Sequence, residues 1–308
     1  MTRPMILLAH EHLRFLLPRL EREYEVVRGW TELPPKGSAT VMALVAAGEV
    51  RLDPNLLDRL TTPGLIACFT VGYDGIDVAA ARARGLEVSH ASGVNEEDVA
   101  DHALGMIIAH RRSILAGDRI VRDGLWNRGE KRLTRSLSGG AVGIVGMGRI
   151  GVALARRAEA VRLSVRWWGP GRKPDLPWPR TASLQDLARD SDILVVAARA
   201  GSENANMIDA NVLAALGPGG LLVNVARGQL VDEEALIAAL RDGSLGGAAL
   251  DVFASEPTPA ERWRDVPNLL LTPHSAGATD VSAARMTEQL MENLAAFSAG
   301  RGPVSPVP

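Results

Sequence analysis

Cysteine is almost absent: Cys68 is the only one in 308 residues. One thiol closes no internal disulfide and cannot build a zinc site from several thiolates, so a secreted disulfide scaffold and a cysteine-held structural metal are excluded. Aromatics are scarce too, with four Phe, two Tyr and six Trp. The core therefore has to come mostly from Ala, Val and Leu. No sign of charge is in excess: 34 Lys and Arg face 36 Asp and Glu, a net charge of −2. That excludes the broad positive field by which proteins hold nucleic acid or an anionic membrane. No uninterrupted apolar run reaches the roughly 20 residues of a membrane span. The opening segment, Met1 to His10, has one Arg and a short apolar run that stops at His10, Glu11 and His12, which makes a poor signal peptide. What remains, with 46% apolar residues and a mean hydropathy of +0.05, reads as a cytoplasmic globule long enough for two domains.

Short apolar runs alternate with helical stretches along most of the chain, the pattern of parallel strands joined by crossovers. In the first part, strands are expected at Met5 to Ala9, Val41 to Ala46, Leu65 to Thr70 and Leu86 to Ser89. Asp53-Pro54 and Asp77 supply helix starts between them. Asn95-Glu96-Glu97-Asp98 then caps an apolar-rich helix expected to run to about Ala116 and to cross between domains. A second alternation has strands near Ala141 to Val145, Leu163 to Trp168, Ile193 to Ala197, Leu221 to Val225, Ala248 to Val252 and Leu269 to Leu271. The tail from Thr279 to about Ala299 is helical and is expected to return to the first domain. The fold class is thus α/β with two doubly wound parallel sheets. Residues 1–96 plus 279–308 form a flavodoxin-like substrate domain, and residues 97–278 an inserted Rossmann dinucleotide domain.

Gly146-Met147-Gly148-Arg149-Ile150-Gly151 follows one of these strands and leads into a helix, the context a Rossmann fingerprint requires. Gly146 permits the tight turn, Gly148 lets backbone N–H groups near a pyrophosphate, and Gly151 lets helix and strand pack closely. The helix N-terminus, with Arg149 and Ile150, then favours the anion. Eighteen residues after Gly151, where NAD enzymes carry an acid for the adenosine ribose, stands Gly169, followed by Pro170-Gly171-Arg172-Lys173. A carboxylate that would repel a 2′-phosphate is missing and two cations are offered instead. The expected cofactor is NADP(H). An exposed basic turn with no ligand is the ordinary alternative.

Three polar residues stand at the ends of later strands: Arg227 in Asn224-Val225-Ala226-Arg227-Gly228, Glu256 in Asp251-Val252-Phe253-Ala254-Ser255-Glu256-Pro257, and His274 in Thr272-Pro273-His274-Ser275-Ala276-Gly277. Each has an ordinary explanation alone, as a solvated Arg, a turn-starting Glu and a structural His. Together they make an acid–base set where doubly wound sheets bind ligands. With these motifs in this order, the chain closely resembles the D-isomer-specific 2-hydroxyacid dehydrogenases, most strongly from about Val41 to Thr279. The resemblance implies that Arg227 binds the substrate carboxylate and polarises its carbonyl, that His274 is the general acid or base, and that Glu256 holds and tunes the imidazole. It places Asp251 and Val99 near the nicotinamide.

Thr70-Val71-Gly72-Tyr73-Asp74-Gly75-Ile76-Asp77 is similar to the family's substrate loop, so the N–H groups of Val71 and Gly72 would bind the substrate carboxylate. A plain turn opening the helix at Asp77 is the alternative. Small residues at Ala46-Ala47-Gly48 would line the site with little bulk. The resemblance implies an NADPH-dependent reductase of a small 2-keto acid, glyoxylate or hydroxypyruvate, acting as a homodimer. Reduction of bulkier 2-keto acids is the runner-up, and a non-catalytic NADP(H)-sensing regulator is the alternative from another class. Arg199 stands where many members carry a Pro against the adenine. No metal is expected, since His102 and His110 lie eight residues apart and His10 and His12 stand without a nearby cluster.

Overall fold

The computed structural model describes residues 3–31, 33, 41–129 and 133–308. Runs such as Ile193-Leu194-Val195-Val196 and Leu221-Leu222-Val223 are apolar at every position, as a strand must be when both faces of its sheet are covered. The first sheet holds β1 (Met5–Leu8), β2 (Glu25–Arg28), β3 (Val41–Ala46), β4 (Leu60–Cys68) and β5 (Leu86–Ser89) in the order β2-β1-β3-β4-β5. The second holds β6 (Ala141–Val145), β7 (Ser164–Trp168), β8 (Ile193–Val196), β9 (Leu221–Asn224), β10 (Gly247–Leu250) and β11 (Leu269–Leu271) in the order β11-β10-β9-β8-β6-β7. Every pairing between these strands is parallel. Both are doubly wound sheets, as the sequence pattern predicts. The first has the flavodoxin order. In the second, a single parallel bridge from Trp167 to Arg180 stands where a further edge strand would pair with β7, which completes the Rossmann order.

The period-2 alternation of strands sends successive residues to opposite cores. Ile193 and Val195 of β8 join one cluster and Leu194 and Val196 the other. Ile6 and Leu8 of β1 likewise oppose Leu7. The chain divides into two compact units, Met1–Asn95 with Asp280–Pro308, and Glu96–Thr279. The last helix, Asp280–Ser298, packs on the first sheet through Met286, Leu290, Met291 and Leu294. Trp167 is buried in the second unit and donates from its indole to the Trp178 carbonyl at 3.0 Å, the partner a buried Trp needs. Cys68 is buried at the end of β4, and burial, helped by Glu49, pushes its thiol up to about 12. No helix of the described residues is long and apolar enough to cross a membrane.

Three expectations are corrected. β2 has no counterpart in the predicted strands, because Glu25-Val26-Val27-Arg28 is a half-exposed edge strand with charged ends and a weak apolar signal. β4 begins at Leu60 rather than Leu65. The helix expected to reach Ala116 ends at Arg111, and a second helix, Ile114–Arg122, follows Ser113 at φ 48°. There the Arg111 carbonyl accepts from the Arg135 N–H at 3.0 Å. Arg111 is buried and donates to the Asp192 and Gly219 carbonyls at 2.7 and 3.2 Å, which ties the helix end to loops at the sheet's lower edge. Helix Ile114–Arg122 buries none of its residues, although Ile114, Leu115 and Val121 are apolar.

Candidate active site

A strand that ends and turns directly into a helix needs a backbone conformation few side chains allow. Gly146 has φ +94°, and a Cβ there would press on the backbone of Ala197 and Ala198 beyond β8. Since β6 and β8 are neighbours from which the chain winds in opposite directions, this is the switch point of the second sheet. A Cβ on Gly151 would overlap the Gly146 carbonyl, while one on Gly148 would meet nothing within 4 Å. The helix Arg149–Ala160 starts there, and its first-turn N–H groups have no acceptor within the helix. Room over Gly148 and open donors fit a pyrophosphate.

Lys173 reaches back to this turn and donates to the Met147 carbonyl at 2.7 Å. Arg172 is exposed and has no hydrogen-bond partner among the described residues. With Arg149, Arg156 and Lys173, the residues Glu96, Glu97 and Val152 line a cavity of about 470 Å³ beside the turn. At Gly169 a Cβ would meet nothing nearer than the Trp167 ring at 3.5 Å, an ordinary van der Waals contact. The Gly169 carbonyl is gripped by Arg180 through two nitrogens at 2.7 and 3.1 Å. Arg199 is exposed on the loop after β8.

Arg227, Glu256 and His274 all follow second-sheet strands: β9, β10 and β11. His274 Nδ1 lies 2.6 Å from a Glu256 oxygen, and the other Glu256 oxygen accepts from the Phe253 N–H at 2.9 Å. Burial by itself would raise the Glu256 carboxyl, but the hydrogen bonds from His274 and Phe253 and the charges of His274 and Arg227 together hold it below its ordinary value. Gly228 brings the Arg227 turn close, because a Cβ there would overlap the Phe253 carbonyl. Glu233, a residue no motif marks, accepts from the Ala254 N–H at 2.7 Å and from Arg262 at 3.0 Å, and so braces the Glu256 loop from the other side.

His274 has φ +50°, a conformation that costs a non-Gly residue about 1–3 kcal/mol unless its surroundings impose it. Asp251 imposes it. Its backbone carbonyl accepts from the His274 N–H at 2.8 Å. Its buried carboxyl accepts from Thr272 Oγ1 at 2.5 Å and from the Ser275 and Ala276 N–H groups at 2.9 Å each. His102 adds a contact to Thr272 Oγ1 at 3.0 Å. Asp251, read from the sequence as a cofactor neighbour, thus uses both oxygens to hold the His274 turn. Val99 is buried in the core of this unit. Nothing in the sequence pattern marked Thr272 or His102, because both act through a turn that only folding assembles.

In the first unit, Val71 and Gly72 lie in the loop after β4. Gly48 is wedged beneath it: a Cβ there would overlap the Gly72 carbonyl, and the Gly48 N–H donates to Thr70 Oγ1 at 2.9 Å. Ala46 and Ala47 point into the cores, so the small residues at 46–48 serve packing and do not form the pocket lining expected of them.

Residues 104–276 match the family model described as D-isomer specific 2-hydroxyacid dehydrogenase, NAD binding domain. The chain belongs to that family. It is 38% identical to glyoxylate/hydroxypyruvate reductase A of Arabidopsis thaliana over 95% of both chains. It is 36% identical to hydroxyphenylpyruvate reductase of Plectranthus scutellarioides, again over 95% of both. The solved NADPH-dependent glyoxylate/hydroxypyruvate reductase of Sinorhizobium meliloti, in complex with NADP and malonate, superposes with a TM-score of 0.91 at 35% identity, covering 99% of this chain and 97% of that one. The chain is therefore an oxidoreductase of the D-2-hydroxyacid dehydrogenase type that uses a nicotinamide cofactor.

Because the folded Glu256 carboxyl titrates below the unfolded one, it stabilises the native state above about pH 4.3 and loses that contribution as pH falls through the folded value. Glu256→Gln is therefore expected to flatten the acid limb of a plot of Tm against pH. A limb as steep as in the parent would contradict the assignment.

Proposed function

We propose that this enzyme reduces glyoxylate or hydroxypyruvate to the 2-hydroxy acid with NADPH. The observation that carries the reading is the His274–Glu256 contact of 2.6 Å with Arg227 acting on the same carboxylate. The bound cofactor supplies the hydride. His274 Nδ1 is committed to Glu256, so Nε2 is the ring nitrogen that gives a proton to the carbonyl oxygen in reduction and takes it back in oxidation. Glu256 keeps the ring oriented and favours its protonated form. Arg227, planar and always charged, grips the substrate carboxylate and polarises the carbonyl. The Val71 and Gly72 N–H groups of the loop after β4 are carboxylate donors in this reading.

The relatives named for glyoxylate and hydroxypyruvate support the small acid. The hydroxyphenylpyruvate reductase relative supports a second reading, reduction of a bulkier aromatic 2-keto acid. NADPH is favoured over NADH by the lack of an acid at Gly169 and by the exposed Arg172, which has no hydrogen-bond partner among the described residues. Helix Ile114–Arg122, together with Leu125, Trp126 and Leu133 at 67, 65 and 94% exposure, offers an apolar surface of the kind that marks a subunit interface. A homodimer is the assembly proposed, and the cytoplasm, where one buried thiol stays reduced, the compartment.

NADPH oxidation against glyoxylate, hydroxypyruvate, phenylpyruvate and 2-ketoisocaproate tests the substrate, and no turnover on any of them would sink the reading. His274→Ala is expected to lower kcat by about 10²–10⁴-fold while NADPH still binds. Arg172→Ala is expected to cut the NADPH-over-NADH preference in kcat/KM by about tenfold or more, the worth of a charged hydrogen bond. An unchanged ratio would reject the phosphate contact. Sedimentation equilibrium should return close to twice the 32.8 kDa of one chain, and a monomer would refute the dimer.

A further inference from the structure

Three consecutive carbonyl groups of the loop after β4 are held in place. The Thr70 carbonyl accepts from the Ala91 N–H at 3.0 Å, the Val71 carbonyl from His90 Nδ1 at 2.8 Å, and the Gly72 carbonyl from the Thr70 hydroxyl at 3.0 Å. In a trans peptide the N–H of the following residue points opposite to the carbonyl. Tying the Thr70 and Val71 carbonyls to segment 90–91 therefore turns the Val71 and Gly72 N–H groups away from that segment, both to the same side. Among the described residues nothing accepts from either N–H.

His90 acts on a substrate-loop peptide from another part of the chain, and it is itself anchored. Its N–H donates to the Ser305 carbonyl at 3.2 Å, and its carbonyl accepts from the Ser305 hydroxyl at 2.7 Å. Ser305 is in turn held by the fully buried Asn293, whose amide donates to its hydroxyl at 2.9 Å and accepts from its N–H at 3.0 Å. The imidazole meets the Tyr73 ring edge-on at 5.0 Å between centroids. With backbone and ring both fixed, Nδ1 is aimed at the Val71 carbonyl.

We propose that His90 is a positioning residue for the substrate, whose Nδ1–H fixes the Val71–Gly72 peptide so that the Gly72 N–H joins the Val71 N–H as a carboxylate-binding pair. This rests on the reading of the loop as the substrate carboxylate site. Without the donor, the peptide also populates the flipped orientation, and affinity falls by the fraction lost.

Nδ1 of His and Nδ2 of Asn both sit on Cγ, so His90→Asn keeps a donor at the same reach, whereas the near-isosteric His90→Leu removes it. Both lose the ring contact with Tyr73, which separates donor from packing. His90→Leu is expected to raise KM for glyoxylate by about tenfold with kcat nearly unchanged, the signature of lost ground-state binding worth one neutral hydrogen bond. Calorimetric titration of the NADPH-loaded protein with oxalate, a dicarboxylate that is not reduced, should show the same tenfold loss. NADPH affinity should stay at the parent value, and His90→Asn should restore most of both losses. His90→Ala serves as the second donorless variant if the Leu protein does not fold. Parent-like oxalate affinity in the Leu or Ala variant, equal defects in Asn and Leu, or a parent that does not bind oxalate would each overturn the proposal. Failure of the proposed reaction is read separately, as absence of turnover in an enzyme that still binds oxalate through an intact loop.

Discussion

Parallel pairing is the constraint from which the rest follows. When all strands of a sheet run the same way, they all end at one edge, and the loops leaving that edge are neighbours whatever their separation in sequence. In the second unit this gathers Gly146, Arg227, Glu256 and His274 from the ends of β6, β9, β10 and β11, stretched over more than a hundred residues of chain. In the first it brings the loops after β3 and β4 into contact, with Gly48 under Gly72. Parallel sheets need helical crossovers on both faces, which is why each unit has two apolar clusters and strands such as β8 carry no outward polar residue.

An edge of loops is useful only if the loops are rigid, and here each is held by polar groups satisfied from behind. Asp251 is the clearest case. Removing a carboxylate from water costs several kcal/mol, and the Asp251 oxygens recover this through a hydroxyl and two backbone donors, each charge-assisted bond contributing about 1.5–3 kcal/mol. The same contacts hold His274 at positive φ and so present its ring to Glu256. Glu233 does for the Glu256 loop what Asp251 does for the His274 turn. In the first unit the role falls to Thr70, His90 and Ala91. The groups proposed to touch substrate are thus backed by ordinary hydrogen bonds from residues that do not touch it.

Much of this was legible in sequence. Strands buried on both faces announce themselves as apolar runs, and β3, β5, β6 and β11 have the predicted bounds. Gly146 and Gly151 could be read because a Cβ at either would run into neighbouring backbone, which leaves room for Gly alone. Where tertiary contacts overrule local pattern, reading failed. The edge strand β2 has too little burial to leave a signal. At the helix break near Ser113 the Arg111 carbonyl accepts from the Arg135 N–H and its guanidinium donates to distant carbonyls, with no Gly or Pro to mark the place. The small residues at 46–48 looked like pocket lining and turned out to be packing.

By itself, then, the sequence determined the class of fold, the dinucleotide turn and an Arg, a Glu and a His after the strands that carry them, because burial on both faces and tight glycine turns leave patterns within a few residues. Only the tertiary structure decided how those side chains are aimed. Thr272, Asp251, Glu233 and His90 act through partners that stand 19 or more residues away, and such contacts have no period or spacing to read. Local chemistry is written locally, whereas orientation depends on which distant carbonyl or amide the fold brings within 3 Å.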